Sequence, residues 1–438
     1  HCGAELLIRG IEMNDVMRMR RIVSMAVALV SAFSVTAQGE SAGGARWVTA
    51  WGTSQQTLGT VELTDTTVRV IARVSIPGEA VRIRLDNTYG SEAVTIGSAQ
   101  VGPRIQNALV AAGLNRSVFF AGSPSVTLPA GGSAISDPVQ LQVFARQDLA
   151  VSLYIPGANV RPSQHSGARA TSYYTVNGAG DLTAEEGAAG FASTTGATWW
   201  LKAIDVYSSS SAGAIVAFGD SITDGTCTTL DAHDRWEDWV SVRLGSQGAA
   251  GQIGGGRTNY RLLKAMVNEG IGGNTVTRNN LSPPPDSAPG IERLERDVLS
   301  HAGITHVILF MGTNDIRREA SAAQVIAGME NIISRVKARG LTIIGVTIIP
   351  RHNRPPSGTN TGWNDAKTAI RNQVNDWIRS RAPFDAVIDF DAVVRNPENP
   401  DLIFPPFDCG DGIHPSPAGY YQMGLAVDLP LLDDLGRR

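Results

Sequence analysis

The sequence predicts an α/β protein in which a three-layer α/β/α domain with a parallel sheet follows an antiparallel β-sandwich domain. Over 46–208, apolar and polar residues alternate between closely spaced turns, which is typical of antiparallel strands with one buried face. Over 213–438, short uninterrupted apolar runs alternate with helical patterns. This second pattern favours parallel strands that are covered by helices on both faces of the sheet.

The N-terminal residues 1–37 are interpreted as an upstream extension and a signal peptide. A basic segment, "MRMRR" (17–21), precedes an apolar segment (22–35) that is shorter than a membrane span requires. Small residues at 35–37 resemble a cleavage site, and Met17 is the expected initiator. We therefore expect a secreted or periplasmic protein with no stable membrane insertion after cleavage. A transmembrane anchor is the alternative.

The predicted sandwich, 46–208, shows its alternation most clearly in three segments. These are 68–76, 81–87 and 149–155, where every second residue is apolar. Turn signals such as "PGE" at 77–79 separate them, and no long helical pattern occurs in this part of the sequence. The antiparallel arrangement follows from this combination of alternation and frequent turns.

The predicted α/β domain begins after a serine-rich boundary at 208–213. Apolar runs that suit strands buried on both faces occupy 214–218, 306–311, 341–349 and 386–390. Helical periodicity spans 321–339 and 364–381, and Gly340 stands where a glycine often ends a helix. Strand and helix therefore alternate along the chain, as a parallel sheet requires.

Polar residues follow several of these apolar runs, at positions where an α/β sheet places its ligands. Ser221 comes just after 214–218 in "GDSITDG", and Asn314 follows 306–311 in "GTND". Asp411 and His414 stand three residues apart in "DGIHPSPAGY", close enough for the carboxylate to reach the imidazole. Together they supply a nucleophile, a base with its orienting acid, and an oxyanion donor.

The four segments "GDSITDG", "GIGGNT", "GTND" and "DGIHPSPAGY" resemble, in this order, the conserved blocks of the SGNH (GDSL) hydrolases. Ser221 matches the nucleophile of that family. Gly273 and Asn314 match its oxyanion glycine and asparagine, and Asp411 and His414 match its acid and base. The resemblance covers about 213–438. The sandwich resembles the N-terminal module of a secreted bacterial subgroup.

The resemblance implies a serine esterase that cleaves carboxylic esters through an acyl-enzyme on Ser221. His414 would act as base and then as acid, and Asp411 would orient it. The oxyanion donors would be the Ser221 N–H, the Gly273 N–H and the Asn314 amide. Expected substrates are short-chain acyl esters or O-acetyl groups of carbohydrates, with no cofactor and no metal.

Other interpretations stay open for these residues. The protein could be a non-catalytic carbohydrate-binding protein, although Ser221, Asn314 and His414 are all retained. His352, which follows a predicted strand, is the second choice as base. The net charge of −4 gives no reason to expect a nucleic acid partner, and the oligomeric state is unknown. Five tryptophans could stack on sugars or pack in the core: Trp199, Trp200, Trp236, Trp239 and Trp363.

Two cysteines of the expected mature chain lie close in sequence to the predicted site residues. Cys227 comes six residues after Ser221, and Cys409 comes two residues before Asp411. If the triad assembles, the loops that carry them are neighbours. We therefore expect a Cys227–Cys409 disulfide, which would suit an exported protein, with two free thiols as the alternative.

Carboxylates near the site residues are expected to be structural. Asp220 and Asp224 would cap and brace the turn at the serine. Asp315 would hold its segment through hydrogen bonds to the backbone. His301 and His306, on either side of a helix–strand connection, are also interpreted as structural.

Overall fold

The computed structural model describes residues 44–253 and 263–433, and side chains are described for all of these except 247–253. The predicted signal peptide at 1–37 lies outside the described residues. From Ala45 onward the chain forms one compact unit. Within the described ranges, no helix is both long enough and apolar enough to cross a bilayer.

The first part of this unit is built of antiparallel strands, and it contains no helix between 46 and 208. In chain order the strands are β1 Arg46–Gly52, β2 Thr57–Leu58, β3 Thr66–Val74, β4 Gly78–Asp86, β5 Val94–Ile96, β6 Ser98–Gln106, β7 Leu109–Val110, β8 Arg116–Val118, β9 Val126–Leu128, β10 Ser133–Ile135, β11 Val139–Val143, β12 Gln147–Ile155, β13 Ser163–His165, β14 Ser172–Tyr174, β15 Ser193–Thr195, β16 Thr198–Trp199 and β17 Leu201–Ser208.

Two sheets carry most of these strands. One has the order β1-β17-β4-β10, with β11 also paired to β4, and the other has the order β15-β14-β3-β12-β6-β7, with β8 paired to β6. The strands β16, β13 and β2 form a small third sheet, and β5 pairs with β9. This antiparallel region agrees with the predicted sandwich.

The strand β3 of the second sheet is buried on both faces, which differs from the one-sided burial that alternation predicts. The polar face of β3 carries Arg69, which is fully buried. Its guanidinium lies 3.8 Å from the centre of the Phe191 ring and donates to the Ala108 carbonyl. The segment that contains Phe191 covers this face. Because that segment is distant in sequence, the residues of β3 alone do not predict that this face is buried.

The second part contains a parallel sheet with the order β19-β18-β20-β21-β22. Its strands are β18 Gly213–Gly219, β19 Lys264–Gly270, β20 Ile304–Phe310, β21 Thr342–Val346 and β22 Ala386–Ile388. The chain goes from β18 to one neighbour, β19, and then returns to the other side for β20. Such a reversal creates a crevice at the carboxyl ends of the strands.

Helices cover both faces of this sheet, which confirms the predicted three-layer class. They are α1 Ser221–Asp224, α2 Trp236–Ile253, α3 Gly290–Leu294, α4 Thr313–Arg317, α5 Ala322–Ala338, α6 Asp365–Ser380, α7 Phe390–Val394 and α8 Pro417–Ala426. A π-helical turn, Glu295–Leu299, continues α3, and two 3₁₀ turns occupy Pro405–Phe407 and Leu429–Leu432. One apolar core contains residues of α5 and α6, and a second contains residues of α2, α7 and α8.

The helix α5 shows how local signals set its ends. Ser321 and Gln324 form a capping box at its start, and Gly340, with φ 68°, follows its end. The side chains of Val325, Met329, Ile332 and Val336 form its buried stripe. The predicted span of 321–339 therefore agrees with the helix to within one residue at each end.

The antiparallel and parallel parts share a buried polar interface. Lys202 of β17 forms an ion pair with Asp297 at 2.7 Å, and the Lys202 side chain is only 6% exposed. The backbone N–H of Thr49 donates to the Ala302 carbonyl at 3.0 Å. This interface runs along the sheet edge formed by β19, and it brings side chains of the antiparallel part close to the strand ends described next.

Candidate active site

The register of the parallel sheet places three functional segments at one edge. Gly219, the last residue of β18, pairs with Gly270 on one side and with Phe310 on the other. The segments that follow these three strand ends therefore leave the sheet at the same level. A Cβ on Gly270 would lie 2.8 Å from the Asp224 Cα, so only glycine allows this close approach.

Ser221 is the first residue of the short helix α1. The preceding Asp220 caps this helix by accepting a hydrogen bond from the Ile222 N–H at 3.0 Å, as the sequence interpretation expects. Burial raises the pKa of Asp220 to about 6. Because the first N–H groups of a helix have no partner within the helix, the Ser221 amide is free of intrahelical bonding.

A hydrogen-bonded chain connects Ser221, His414 and Asp411. The Ser221 Oγ lies 2.9 Å from the His414 Nε2, and the His414 Nδ1 lies 2.5 Å from the Asp411 Oδ2. Burial alone would raise the pKa of Asp411. The hydrogen bonds from the ring and backbone of His414 and from the Ile413 amide outweigh burial, so the pKa of Asp411 is lowered. The carboxylate is thus ionised and holds the imidazole with Nε2 facing the hydroxyl.

The loop that carries Asp411 and His414 is fixed to its surroundings at several points. A disulfide joins Cys409 to Cys227, in the segment that follows α1, with the Cα atoms 6.3 Å apart. The Tyr420 hydroxyl, on α8, donates to the Thr226 carbonyl at 2.8 Å. The loop is therefore attached to the segment of the serine by one covalent link and one hydrogen bond.

The two predicted oxyanion residues lie in neighbouring segments. The Asn314 side-chain amide, only 6% exposed, donates to the Asn274 carbonyl at 3.1 Å. Gly273 precedes Asn274 in a turn and has a left-handed φ of 72°. The side-chain NH₂ group of Asn314 has two N–H donors, and only one of them is used by the Asn274 carbonyl. The second is available to donate to a bound oxygen.

Asp315 fixes the turn to the end of β20, as its structural interpretation predicts. Its carboxylate accepts hydrogen bonds from the backbone N–H groups of Val276 and Thr277, at 2.9 to 3.1 Å. The side chain is fully buried, and burial raises its pKa to about 7.

A second histidine–aspartate pair near the serine is absent from the sequence interpretation. The His165 Nε2, on β13 of the antiparallel part, lies 2.9 Å from the Asp224 Oδ1. The other oxygen of Asp224 accepts the Gly272 N–H at 3.0 Å. Asp224 thus connects the antiparallel part to the turn that carries Gly273. No motif around His165 could have indicated this contact.

His165 carries a positive charge in this arrangement. Its Nδ1 lies 2.9 Å from the Ser54 carbonyl, and its Nε2 faces the Asp224 carboxylate, so both partners are acceptors. A neutral imidazole can donate from only one nitrogen. Burial lowers the pKa of His165, but the Asp224 carboxylate and the two hydrogen bonds more than offset this, and the pKa is raised.

Arg293 is another residue that the sequence interpretation missed, and its hydrogen bonds connect the ends of two strands. Its fully buried guanidinium donates to the carbonyls of Gly219 and Glu269, to the Asn274 side chain and to the Ser54 hydroxyl, at 2.8 to 3.0 Å. One cation thus connects the ends of β18 and β19, the turn after β19 and the antiparallel part.

Other predicted residues lie as follows. His301 and His306 are buried, and His301 contacts Glu269 at 2.6 Å, which agrees with a structural role. His352 does not touch the serine: its N–H donates to the Gly412 carbonyl at 2.8 Å. Four of the five tryptophans are buried in the core, namely Trp199, Trp200, Trp236 and Trp363.

Among the described residues, both groups of possible metal ligands near the triad include a cysteine of the disulfide. Ligand atoms of Cys227, Asp411 and His414 lie close to one another. However, Cys227 is part of the disulfide and offers no thiolate. The other two side chains hydrogen-bond each other.

The fold and site together define an α/β protein with a Ser–His–Asp chain at the carboxyl edge of its parallel sheet. Residues 217–422 match the model of the GDSL-like lipase/acylhydrolase family. This segment is therefore a domain of the SGNH (GDSL) hydrolase family, which confirms the resemblance seen in the sequence. Among curated proteins, none matched the chain.

Solved structures with similarity to this chain cover about half of it. A lipolytic protein of the G-D-S-L family from Desulfitobacterium hafniense DCB-2 is 19% identical, with 49% of this chain and 96% of that chain covered and a TM-score of 0.33. An aryl esterase from M. smegmatis is 20% identical, with coverages of 49% and 95% and a TM-score of 0.37. Est24, a carbohydrate acetylesterase from Sinorhizobium meliloti, is 19% identical, with coverages of 49% and 96% and a TM-score of 0.35.

Proposed function

We propose that this protein is an exported serine esterase that hydrolyses carboxylic esters through an acyl-enzyme on Ser221. The contact between the Ser221 Oγ and the His414 Nε2, at 2.9 Å, is the observation that carries the proposal. It supplies the geometry that general-base activation of a hydroxyl requires. Asp411 supports it by fixing the tautomer of the ring.

In the first half-reaction, the Ser221 oxygen attacks the ester carbonyl while His414 takes the hydroxyl proton. The new C–O bond to the serine forms, and the negative charge moves to the former carbonyl oxygen. The N–H groups of Ser221 and Gly273 and the Asn314 amide would stabilise that charge. When the tetrahedral intermediate collapses, the bond to the alcohol breaks and His414 returns the proton to the leaving oxygen.

In the second half-reaction, water replaces the alcohol. His414 removes a proton from the water, which attacks the acyl carbon, and the Ser221 oxygen leaves with that proton. The products are a carboxylic acid and the free enzyme. No step needs a redox partner or an external cation.

For the acyl group, we propose a short chain, including the acetyl group of O-acetylated carbohydrates. The disulfide supports an exported location, since disulfides persist in oxidising compartments. The family of the 217–422 segment supports ester chemistry as a class.

A serine-directed fluorophosphonate tests the nucleophile. We expect one adduct, located on Ser221 by peptide mass spectrometry, and loss of that adduct in Ser221→Ala. The matched control is Ser321→Ala, which removes a helix-capping hydroxyl and leaves the nucleophile in place. An unlabelled Ser221, or full activity of Ser221→Ala on p-nitrophenyl acetate, would contradict the proposed function. A series of p-nitrophenyl esters beside acetylated xylan would then define the acyl preference.

A further inference from the structure

Arg351 is a buried arginine whose hydrogen-bonding capacity is left mostly unused. It is only 5% exposed, and its one hydrogen bond runs from Nη1 to the Thr313 hydroxyl at a long 3.4 Å. The Nε atom is buried and has no acceptor in the described parts of the chain. In contrast, the equally buried Arg293 donates four hydrogen bonds of 3.0 Å or less.

The position of Arg351 is beside the proposed catalytic residues. Its hydrogen-bond partner Thr313 directly precedes Asn314. The next residue in the chain, His352, bonds to the Gly412 carbonyl between Asp411 and His414. Arg351 therefore lies where the segment of the oxyanion asparagine meets the loop of the base.

Two cations and two anions act on the charge of Arg351 from a distance. Arg317 and Arg354 are near enough to lower its pKa, whereas Asp220 and Asp411 act in the opposite direction. Burial is the largest influence, and the pKa of Arg351 falls to about 10, so the side chain stays charged at neutral pH. Among residues 44–253 and 263–433, no carboxylate lies within 4.0 Å of any of these three arginines.

An unpaired guanidinium in a buried place is costly unless something neutralises it. The unpaired edge of Arg351 is formed by Nε and Nη2, and in two other arginines of this protein that edge binds a carboxylate. Arg278 forms such a bidentate pair with Glu292, in which Nε and Nη2 donate to the two carboxylate oxygens at 2.9 and 3.0 Å. The same edge of Arg296 grips both oxygens of Asp297 at 2.7 Å. A carboxylate is thus the partner that this edge fits.

The ring of Trp363 supports the guanidinium from one side. The Arg351 Cζ lies 5.1 Å from the ring centre, and Trp363 is itself 3% exposed. A charged group that stacks on an aromatic face keeps a fixed orientation. Trp363 also borders a surface hollow that is lined by Arg354 and Asn364.

We propose that Arg351 is the anchor of an anion-binding subsite, so that the preferred substrate is an ester that carries a carboxylate near its scissile bond. The inference rests on the proposed esterase function, because the subsite is located by the contacts of Arg351 and His352 with the segments that carry Asn314 and His414. The carboxylate could belong to the acyl half, as in a monoester of a dicarboxylic acid. It could instead belong to the alcohol half, as in an acetylated hydroxy acid or uronic acid.

Two matched substrate pairs distinguish these sources. For the acyl half, p-nitrophenyl hemiglutarate is compared with neutral p-nitrophenyl butyrate. For the alcohol half, 4-acetoxybenzoate is compared with neutral 4-acetoxybenzamide. In each pair the quantity measured is kcat/KM for the anion divided by kcat/KM for the neutral ester, because this ratio removes effects common to both substrates.

Arg351→Met should lower this ratio by about tenfold to a hundredfold in one of the two pairs, the range expected for loss of a hydrogen-bonded charge pair. Arg351→Lys should keep the charge and part of the ratio. The control is Arg381→Gln, which removes an exposed arginine beyond α6 and should leave both ratios unchanged. Equal ratios in the wild type and Arg351→Met, in both pairs, would overturn the inference.

The wild-type protein provides a test that does not depend on the folding of a variant. Glutarate should inhibit the hydrolysis of p-nitrophenyl acetate competitively, and neutral glutaramide should not. Equal inhibition by the two compounds, or inhibition by neither, would overturn the subsite but leave the esterase intact. If instead none of the esters is hydrolysed and the fluorophosphonate leaves Ser221 unlabelled, the proposed function fails, and the subsite fails with it.

Discussion

Replacing His165 by glutamine tests whether the antiparallel part supports the proposed active site. The substitution removes a buried cation and leaves the Asp224 carboxylate without its strongest partner. The side chains of the pair are only 2% and 9% exposed, so solvent cannot compensate. Loss of one member of a buried ion pair typically costs about 3–5 kcal/mol. We expect a decrease of this order in the free energy of unfolding at pH 6.

The size of this decrease should depend on pH. Because the folded pKa of His165 is raised above its unfolded value of about 6.5, its contribution is fully present below that pH. The contribution is lost as the pH rises through the folded pKa. Urea unfolding of the wild type and His165→Gln at pH 6, 7.5 and 9 should therefore give curves whose difference shrinks toward alkaline pH.

The same variant should also be a poorer enzyme. Asp224 keeps its bond to the Gly272 N–H but loses the contact that fixes its side chain, so the turn of Gly273 is held less firmly. We expect kcat on p-nitrophenyl acetate to fall about tenfold, less than the 10²–10³ for complete loss of an oxyanion donor. KM should change little.

Lys202→Met is the matched control for His165→Gln. It also breaks a buried ion pair at the interface, but lysine does not titrate near neutral pH and Lys202 has no hydrogen bond to the turn that carries Gly273. Its loss of stability should therefore be constant from pH 6 to 9, with kcat unchanged. The reasoning would be refuted if the effect of His165→Gln were independent of pH, or if Lys202→Met reduced kcat equally.

Three further predictions concern the site itself. Asn314→Ala should lower kcat on p-nitrophenyl acetate about 10²–10³-fold with KM nearly constant. The control Asn375→Ala removes another buried amide that is bonded to the backbone, and it should lower only the melting temperature. Similar kcat losses in both variants would count against the oxyanion role of Asn314. Replacing Cys227 and Cys409 together by serine should lower the unfolding free energy by about 5 kcal/mol in urea titrations, since the closed loop spans a sequence separation of 182, and an unchanged midpoint would contradict this. Asp411→Asn should lower kcat about 10⁴-fold in steady-state assays, because an amide in place of the carboxylate favours the wrong tautomer of the imidazole, and a loss below tenfold would exclude this role of Asp411.

Local patterns were sufficient to predict the elements that position the site. Alternation placed a strand at 149–155, and the structure has it at Gln147–Ile155. The capping residues of α5 lie within the same short segment as the helix, so its ends could be predicted as well. The apolar run before Ser221 predicted β18, because a strand that is buried on both faces appears in the sequence as a continuous apolar run.

The supporting residues could not be predicted, because their partners are distant in sequence. His165 and Asp224 are 59 positions apart, and Arg293 and Ser54 are 239 apart. In the sequence, Arg293 stands among charged residues that suggest an exposed helix face, yet it is fully buried. These polar residues become inaccessible to water only because the antiparallel part packs against β19. Arg351 is also buried by residues distant in sequence, since its one hydrogen bond reaches Thr313, 38 positions away.

The two sides of the proposed site depend on different parts of the chain, and this has a kinetic consequence. Arg293 and the His165–Asp224 pair hold the turn that carries Gly273, the proposed oxyanion donor, so substitutions there should lower kcat for every ester alike. Arg351 lies on the side of the histidine loop, where damage should change which ester is preferred. A double-mutant cycle of His165→Gln and Arg351→Met would separate the two effects. In each variant, kcat and the ratio of kcat/KM for the anionic ester to kcat/KM for the neutral ester would be measured. Additive effects would mean that transition-state stabilisation and substrate choice reside in independent structures of one cleft.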